Sequence, residues 1–298
     1  MNNYKFIPLV LLTTFLMGSS FAIVKIGLSY SSPILLAALR FTLAGIIMSI
    51  IVSVLKRPHP ITKKSWIRMV IIGACQTAGV MGCIFLSLRT ITASESSILT
   101  FTNPLLVIVF GTIFTKIRYR LYQWIGVFLG LLGVVITMGT QLQFEIGIVF
   151  GILSAVFWAI ATLLANKWGA TFDTWVLSAY QILFGGLLLL LASFLFEKPF
   201  FTFNGQSLFI LFWLSMMSSI VQFAIWYYLL QKGDPGKTSA YLFLAPFFGV
   251  ITGWLLLGDH LYPSLIIGGL FIIIGIYLVN RKFQNLKQEN ASIEIQNR

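Results

Sequence analysis

The chain has 298 residues, of which 58% are hydrophobic and only 9% charged, with 20 Lys+Arg against 8 Asp+Glu and a net charge of +12. A soluble domain carries about 25% charged residues, and at a mean hydropathy of +0.93 this chain could not keep its apolar surface from water as a soluble enzyme. The 15% aromatic content excludes disorder. A polytopic membrane protein remains, and whether the +12 marks a nucleic-acid binder depends on where the charges lie.

A bilayer core takes about 20 apolar residues as helix. Cutting the apolar runs at charge clusters and at Pro, Gly and Ser breaks predicts ten spans, at 6–29, 33–55, 66–88, 94–115, 122–140, 146–166, 174–196, 206–230, 237–257 and 262–280. Because the apolar runs are continuous rather than alternating, barrel strands are excluded. The fold class expected is therefore an all-α polytopic membrane protein, with a polar tail at 281–298. Lys5, an apolar run and Gly18-Ser19-Ser20-Phe21-Ala22 together have the form of a cleaved leader. The apolar run continues past that point, so the segment is read as the first span. Cys75 and Cys83 lie eight residues apart in one span, about 12 Å along a helix, which is too far for a disulfide.

Basic residues set orientation, because Lys and Arg accumulate in cytoplasmic loops. With the N-terminus inside, 16 of the 20 fall in inside segments and two, Arg89 and Lys198, outside, while Lys25 and Arg40 lie within spans. Both termini are thus expected in the cytoplasm and the +12 is a topology signal, with no nucleic-acid partner implied.

The sequence also matches itself without gaps at an offset of 142, placing Pro104 on Pro246, Gly111 on Gly253, Gly126 on Gly268 and Gly133 on Gly275. At an offset of 141, Arg40-Phe41 falls on Gln181-Ile182 and Gly45 on Gly186. Each half, 1–140 and 141–280, holds five spans. An odd number makes the second half enter the membrane inverted, the architecture of many secondary transporters.

Spans 4 and 9 carry Asn103-Pro104 and Ala245-Pro246 in mid-run, where proline removes a backbone hydrogen bond. Their recurrence at one depth favours a hinge pair lining a cavity over a packing kink. Lys25 and Arg40 would cost about 2.5–3.5 kcal/mol each at a span centre. Both sit toward the outer end, where they either snorkel to headgroups or, with Glu95, form an outer vestibule that attracts carboxylates. Glu95 is a plausible partner for Arg40. No Asp, Glu or His lies deep in a span, which favours uniport or exchange over proton coupling.

Ser218, Gln222 and Trp226 share a helix face by their i, i+4, i+8 spacing, as do Ser154, Trp158 and Thr162. A lone Ser or Thr in a span usually bonds its own helix backbone. Glutamine and asparagine cost more to leave unpaired, so Gln76, Asn103 and Gln222 are the better substrate contacts, with Trp158, Trp226 and Tyr241 as aromatic surfaces. The glycines of spans 5 and 10 read as close helix packing. His59 and His260 sit in separate loops, and neither metal-ligand spacing, a P-loop nor a nucleophile elbow occurs. No enzyme, metal or cofactor is expected.

The pattern over 6–280 resembles the EamA-type proteins of the drug/metabolite transporter superfamily. The resemblance rests on Met17-Gly18-Ser19-Ser20-Phe21-Ala22-Ile23-Val24-Lys25, Arg40-Phe41, Ser94-Glu95-Ser96-Ser97 leading to Pro104, and Gly126 with Gly133. The second half repeats it in Phe157-Trp158-Ala159, Gly236-Lys237-Thr238-Ser239-Ala240 and Pro246. Leu257-Gly258-Asp259 stands where the family has Gly-Glu, but the first half has Lys116-Ile117 there, so no role is carried to that turn.

The resemblance implies export or exchange of amino acids or related metabolites by alternating access, through a cavity lined by spans 1, 3, 4, 6, 8 and 9, in a prokaryotic inner membrane. Multidrug-type efflux of amphipathic compounds is the alternative. A channel would need a continuous polar pore, and a membrane enzyme a cluster of acids, His or Lys at one interface. A homodimer is compatible with the sequence but not specified by it.

Overall fold

The computed structural model describes residues 3–115, 120–137, 145–232, 242 and 244–280. Tyr241, the Lys116-Ile117 turn and the tail from Arg281 lie outside them. Among the described residues, seven apolar helices are long enough to cross a bilayer: α1 (Phe6–Gly27), α2 (Pro33–Val54), α3 (Lys63–Ser87), α4 (Ala93–Phe114), α6 (Ile146–Trp168), α7 (Thr174–Phe196) and α8 (Gly205–Trp226). Three more, α5 (Leu121–Thr137), α9 (Leu244–Leu257) and α10 (Pro263–Asn280), are apolar over shorter stretches. Among the described residues the protein is helical, and the only extended pairing is a single bridge between Ser31 and Phe201.

Two of the long helices change pitch in mid-course. Residues Ala74–Gly79 of α3 and Met216–Val221 of α8 form π-helical turns, six residues each and 142 positions apart. Such turns insert one residue into the helical ladder and leave a carbonyl without its usual donor. A third helix, α4, is interrupted instead. Its first segment ends at Thr100, and a second begins at Asn103 with Pro104 in its first turn, where a missing N–H is tolerated. Pro246 likewise falls in the first turn of α9.

Helices α2 and α7 cross backbone to backbone. A Cβ on Gly45 would stand 2.5 Å from Leu183 Cα, and one on Gly186 2.5 Å from the Thr42 nitrogen. At the end of this pair, Glu197 accepts from the Ile34 and Leu35 N–H groups that open α2. Residues 34–35, 42 and 45 thus meet 197, 186 and 183, so the two helices run antiparallel. The α5–α10 pair repeats the device: a Cβ on Gly133 would lie 2.6 Å from the Gly268 oxygen, and one on Gly275 2.5 Å from the Gly126 oxygen. Small residues are what let these backbones approach, and in lipid such packing replaces the hydrophobic drive between helices. The glycines read from sequence as close packing in spans 5 and 10 do meet in this way.

Of the acids in the described residues, Glu95, Glu145 and Asp173 stand at the N-termini of their own helices. Glu197 and Asp259 follow the C-terminal ends of α7 and α9 and reach across to the N-termini of α2 and α4, where the helix dipole favours negative charge. Asp173 caps α7 through the Trp175 and Val176 N–H groups and also pairs with Arg57 at 3.6 Å. Thr92 and Glu95 form a reciprocal capping box at the start of α4.

Candidate functional site

The polar side chains between the helices fall into two groups. Most Ser and Thr are satisfied locally, as expected of hydroxyls in apolar helices. Thr162 donates to Trp158 O, Ser97 to Ser94 O and Thr252 to Phe248 O. Others bridge helices: Thr100 bonds Ser154 across α4 and α6 at 2.8 Å, Ser87 bonds Ser96 at 2.6 Å, and Thr13 of α1 donates to Gln222 O of α8. Asn103 and Gln222 differ. They are 8% and 6% exposed, yet neither side-chain amide makes a hydrogen bond with a described residue. Gln76, half-buried within the α3 π-turn, has none either.

An aromatic run joins three helices beside these groups. Phe21 of α1 lies 6.1 Å from Phe101 of α4, whose ring in turn is 5.4 Å from Trp158 of α6. Trp158 is therefore next to the α4 break that Asn103 and Pro104 close. Trp226 stands one turn beyond Gln222 on α8 and is half-buried. Tyr241 lies outside the described residues, so its place at the site is not described.

Of the three charges expected as a vestibule, Lys25 and Glu95 both engage the 91–95 turn, while Arg40 is turned away to α8. Lys25 donates through Nζ to Ile91 O, tying α1 to the α3–α4 loop at 2.5 Å. Glu95 spends one carboxylate oxygen on the Thr92 N–H and hydroxyl, each at 2.9 Å. The Glu95–Arg40 pair suggested by the sequence is not formed. Arg40 is 4% exposed, and its guanidinium is turned to α8, donating to Ser219 Oγ at 3.0 Å and to Ser218 O at 2.8 Å. Phe41 covers it at 4.6 Å. The reason is that a bypassed carbonyl inside the protein offers a buried cation a closer partner than a half-buried carboxylate already engaged as a cap.

Sequence reasoning assigned no role to Leu257-Gly258-Asp259, and its geometry is informative. Gly258 ends α9 at a φ of +69°, a left-handed conformation that suits glycine. The Gly258 N–H bonds Trp254 O, the closure of an αL cap, and the Asp259 N–H reaches Gly253 O. That turn aims Asp259, 8% exposed, at the start of α4, where Oδ2 accepts from both Ser94 N (3.1 Å) and Ser94 Oγ (2.9 Å). Beside it, Gly253 and Gly249 allow α9 to lie against Ser94 and Ser97, and Gly18 brings α1 against Ala245 O. The first turns of α4 are thus locked to α9 and packed with α1.

Comparison with known proteins now bears on this arrangement. The model of the EamA-like transporter family matches twice, over residues 5–139 and again over 145–281. The chain belongs to the EamA-like transporter family. It is 29% identical over 288 residues to a protein of Archaeoglobus fulgidus described as an uncharacterized transporter, the match covering 94% of this chain and 99% of that one. It is 23% identical over 250 residues to the uncharacterized inner membrane transporter YedA of Escherichia coli K12, covering 82% and 80% respectively. A crystal structure of a protein 21% identical shares the fold at a TM-score of 0.64, covering 91% of this chain and 96% of the other. This EamA-like protein is a multi-pass membrane transporter and not an enzyme.

Proposed function

We propose that this transporter is a secondary carrier that exports or exchanges small organic solutes, amino acids or related metabolites, by alternating access across the inner membrane. In this reading ten helices cross the bilayer as two inverted five-helix repeats, 1–140 and 141–280, with both termini in the cytoplasm. The antiparallel α2–α7 and α5–α10 crossings support it, since an inverted repeat sets equivalent helices antiparallel. So do the twin π-turns and the twofold family match. The Escherichia coli relative is described as an inner membrane transporter, which supports that location.

The observation that carries the solute site is a pair of amides on largely buried residues that make no hydrogen bond with a described residue. Their polar atoms are not sealed inside the protein, so they stay free to bond water or a solute. Asn103 and Gln222, with Gln76, form the hydrogen-bonding part of the site, and Trp158 and Trp226 its apolar walls. Pro104 and Pro246 act as hinges that start α9 and the second half of α4. The acids at helix ends and the lack of a described acid deep within the helices support uniport or exchange rather than proton coupling.

The test is uptake into proteoliposomes, each proteinogenic amino acid being supplied in tritiated form. Asn103→Ala and Gln222→Ala are expected to cut the uptake of the accepted solutes by on the order of tenfold or more, the loss of one buried hydrogen bond, while protein still inserts. Unchanged uptake in both variants would remove these residues from the site.

A further inference from the structure

Two clamps in the molecule correspond to each other across the internal repeat, and neither touches the proposed solute amides directly. In α8 the Gln222 N–H reaches back five residues to Met217 O, so the π-turn passes over the Ser218 carbonyl before α-helical bonding resumes. Arg40, reaching from α2 across 178 positions of chain, donates to that carbonyl and to Ser219 Oγ. In α3 the Val80 N–H reaches back in the same way to Cys75 O. There Gln181, from α7, accepts from Thr77 Oγ1 at 3.2 Å. Position 181 is Arg40 moved by 141 residues, and Ser219 is Thr77 moved by 142. Both reaching side chains are 4% exposed. Each π-turn is therefore held by one polar side chain from the rigid, glycine-crossed α2–α7 pair.

The two clamps differ in charge. Among the described residues Arg40 has no carboxylate within ion-pair distance, yet its repeat partner does the corresponding work with a neutral amide. A group whose task were to attract an anionic solute would need its charge. A group whose task is to bond a π-turn needs only a polar group of the right reach.

We infer that Arg40 and Gln181 are a twofold-related pair of positioning residues, which fasten the π-turns of α8 and α3 to the α2–α7 pair and so fix where Gln222 and Gln76 stand. This rests on the carrier reading for its purpose but not for its geometry. Loss of either clamp frees one π-turn and leaves the other in place, since each is fastened separately.

The experiment uses alkylation by N-ethylmaleimide of the full-length protein in lipid nanodiscs, with no solute present. Cys75, half-buried in the α3 π-turn, is the native reporter once Cys83→Ala is made. Met217, its repeat counterpart and also half-buried, supplies the α8 reporter as Met217→Cys in a Cys75→Ala, Cys83→Ala background. Arg40→Met is expected to speed alkylation at 217 by on the order of tenfold, as losing a hydrogen bond to a charged group does to a local opening equilibrium, and to leave 75 within about twofold. Gln181→Met should reverse that pattern. Arg40→Gln should keep both reporters near their starting rates.

A rise at both reporters together in either Met variant would mean general loosening and would overturn the inference, as would no rise at all. Arg40→Gln behaving like Arg40→Met would overturn the claim that a neutral amide can do the work of Arg40 at this position. Should Arg40→Met not accumulate, Gln181→Met and Arg40→Gln still decide the matter. Because no solute is involved, a failure of the carrier reading in uptake assays leaves this result standing, and the reverse also holds.

Discussion

At the scale of single residues, the proposed site rests on the contrast between bonded hydroxyls and the Asn103 and Gln222 amides, which bond no described residue. Serines and threonines that read as candidates, such as Ser154 and Thr162, are bonded to Thr100, Gly151 O and Trp158 O. The preference for amides over hydroxyls was legible in the sequence because an amide has more to lose when unpaired. The surroundings of Arg40 were not legible, since its partners lie 178 and 179 positions away and a buried carbonyl leaves no mark in composition. Asp259 is a similar case: the Gly258-Asp259 pair signals a turn, but only the fold shows that the carboxylate serves another helix. Removing it as Asp259→Ala leaves the Ser94 N–H and hydroxyl without their acceptor, and a charged hydrogen bond is worth about 1.5–3 kcal/mol. Thermal unfolding in detergent should accordingly move to lower temperature, and Asp259→Glu should recover part of the loss; an unaltered midpoint for Asp259→Ala would show that this contact carries no stability.

At the scale of helices, continuous apolar runs placed the seven long apolar helices, because a helix is the only open structure that satisfies its own backbone in lipid. The break in α4 was foreshadowed by Asn103-Pro104, although proline opens a new segment there instead of bending one continuous helix. The π-turns had no such marker. Ala74–Gly79 and Met216–Val221 read as ordinary helix, and nothing in their side chains states that one extra residue enters the ladder. Glycine crossings were half legible: the residues stood out, while their reciprocity emerged only in three dimensions. Those crossings make a sharp prediction. Gly45→Leu would drive a side chain into the Leu183 backbone, and overpacking of this kind costs about 1–3 kcal/mol or more. Gly205→Leu, at a position with open space around it, should be neutral. Comparing the two by yield of folded protein on size-exclusion chromatography checks the claim, and equal yields would contradict it.

At the scale of the whole molecule, the proposed topology accounts for the excess of basic residues by placing them on the cytoplasmic side, while the described acids stand at helix ends. Fusions of a cytoplasm-dependent fluorescent reporter to the N- and C-termini should both fluoresce, since the proposed topology puts 16 of the 20 basic residues on one side. A dark fusion at one end alone would require an odd number of crossings. The proposed carrier reading takes the paired helices and twin π-turns as two similar halves that rock against each other, with the Asn103 and Gln222 amides between them. Such a machine binds its solute on one side and releases it on the other, and a channel does not. Counterflow in proteoliposomes separates the two most directly. With an accepted amino acid at high concentration inside and its tritiated form outside, the account predicts a transient accumulation of label above equilibrium, saturable in external solute and lost in Asn103→Ala. Label that merely approaches equilibrium, rising linearly with concentration, would contradict it.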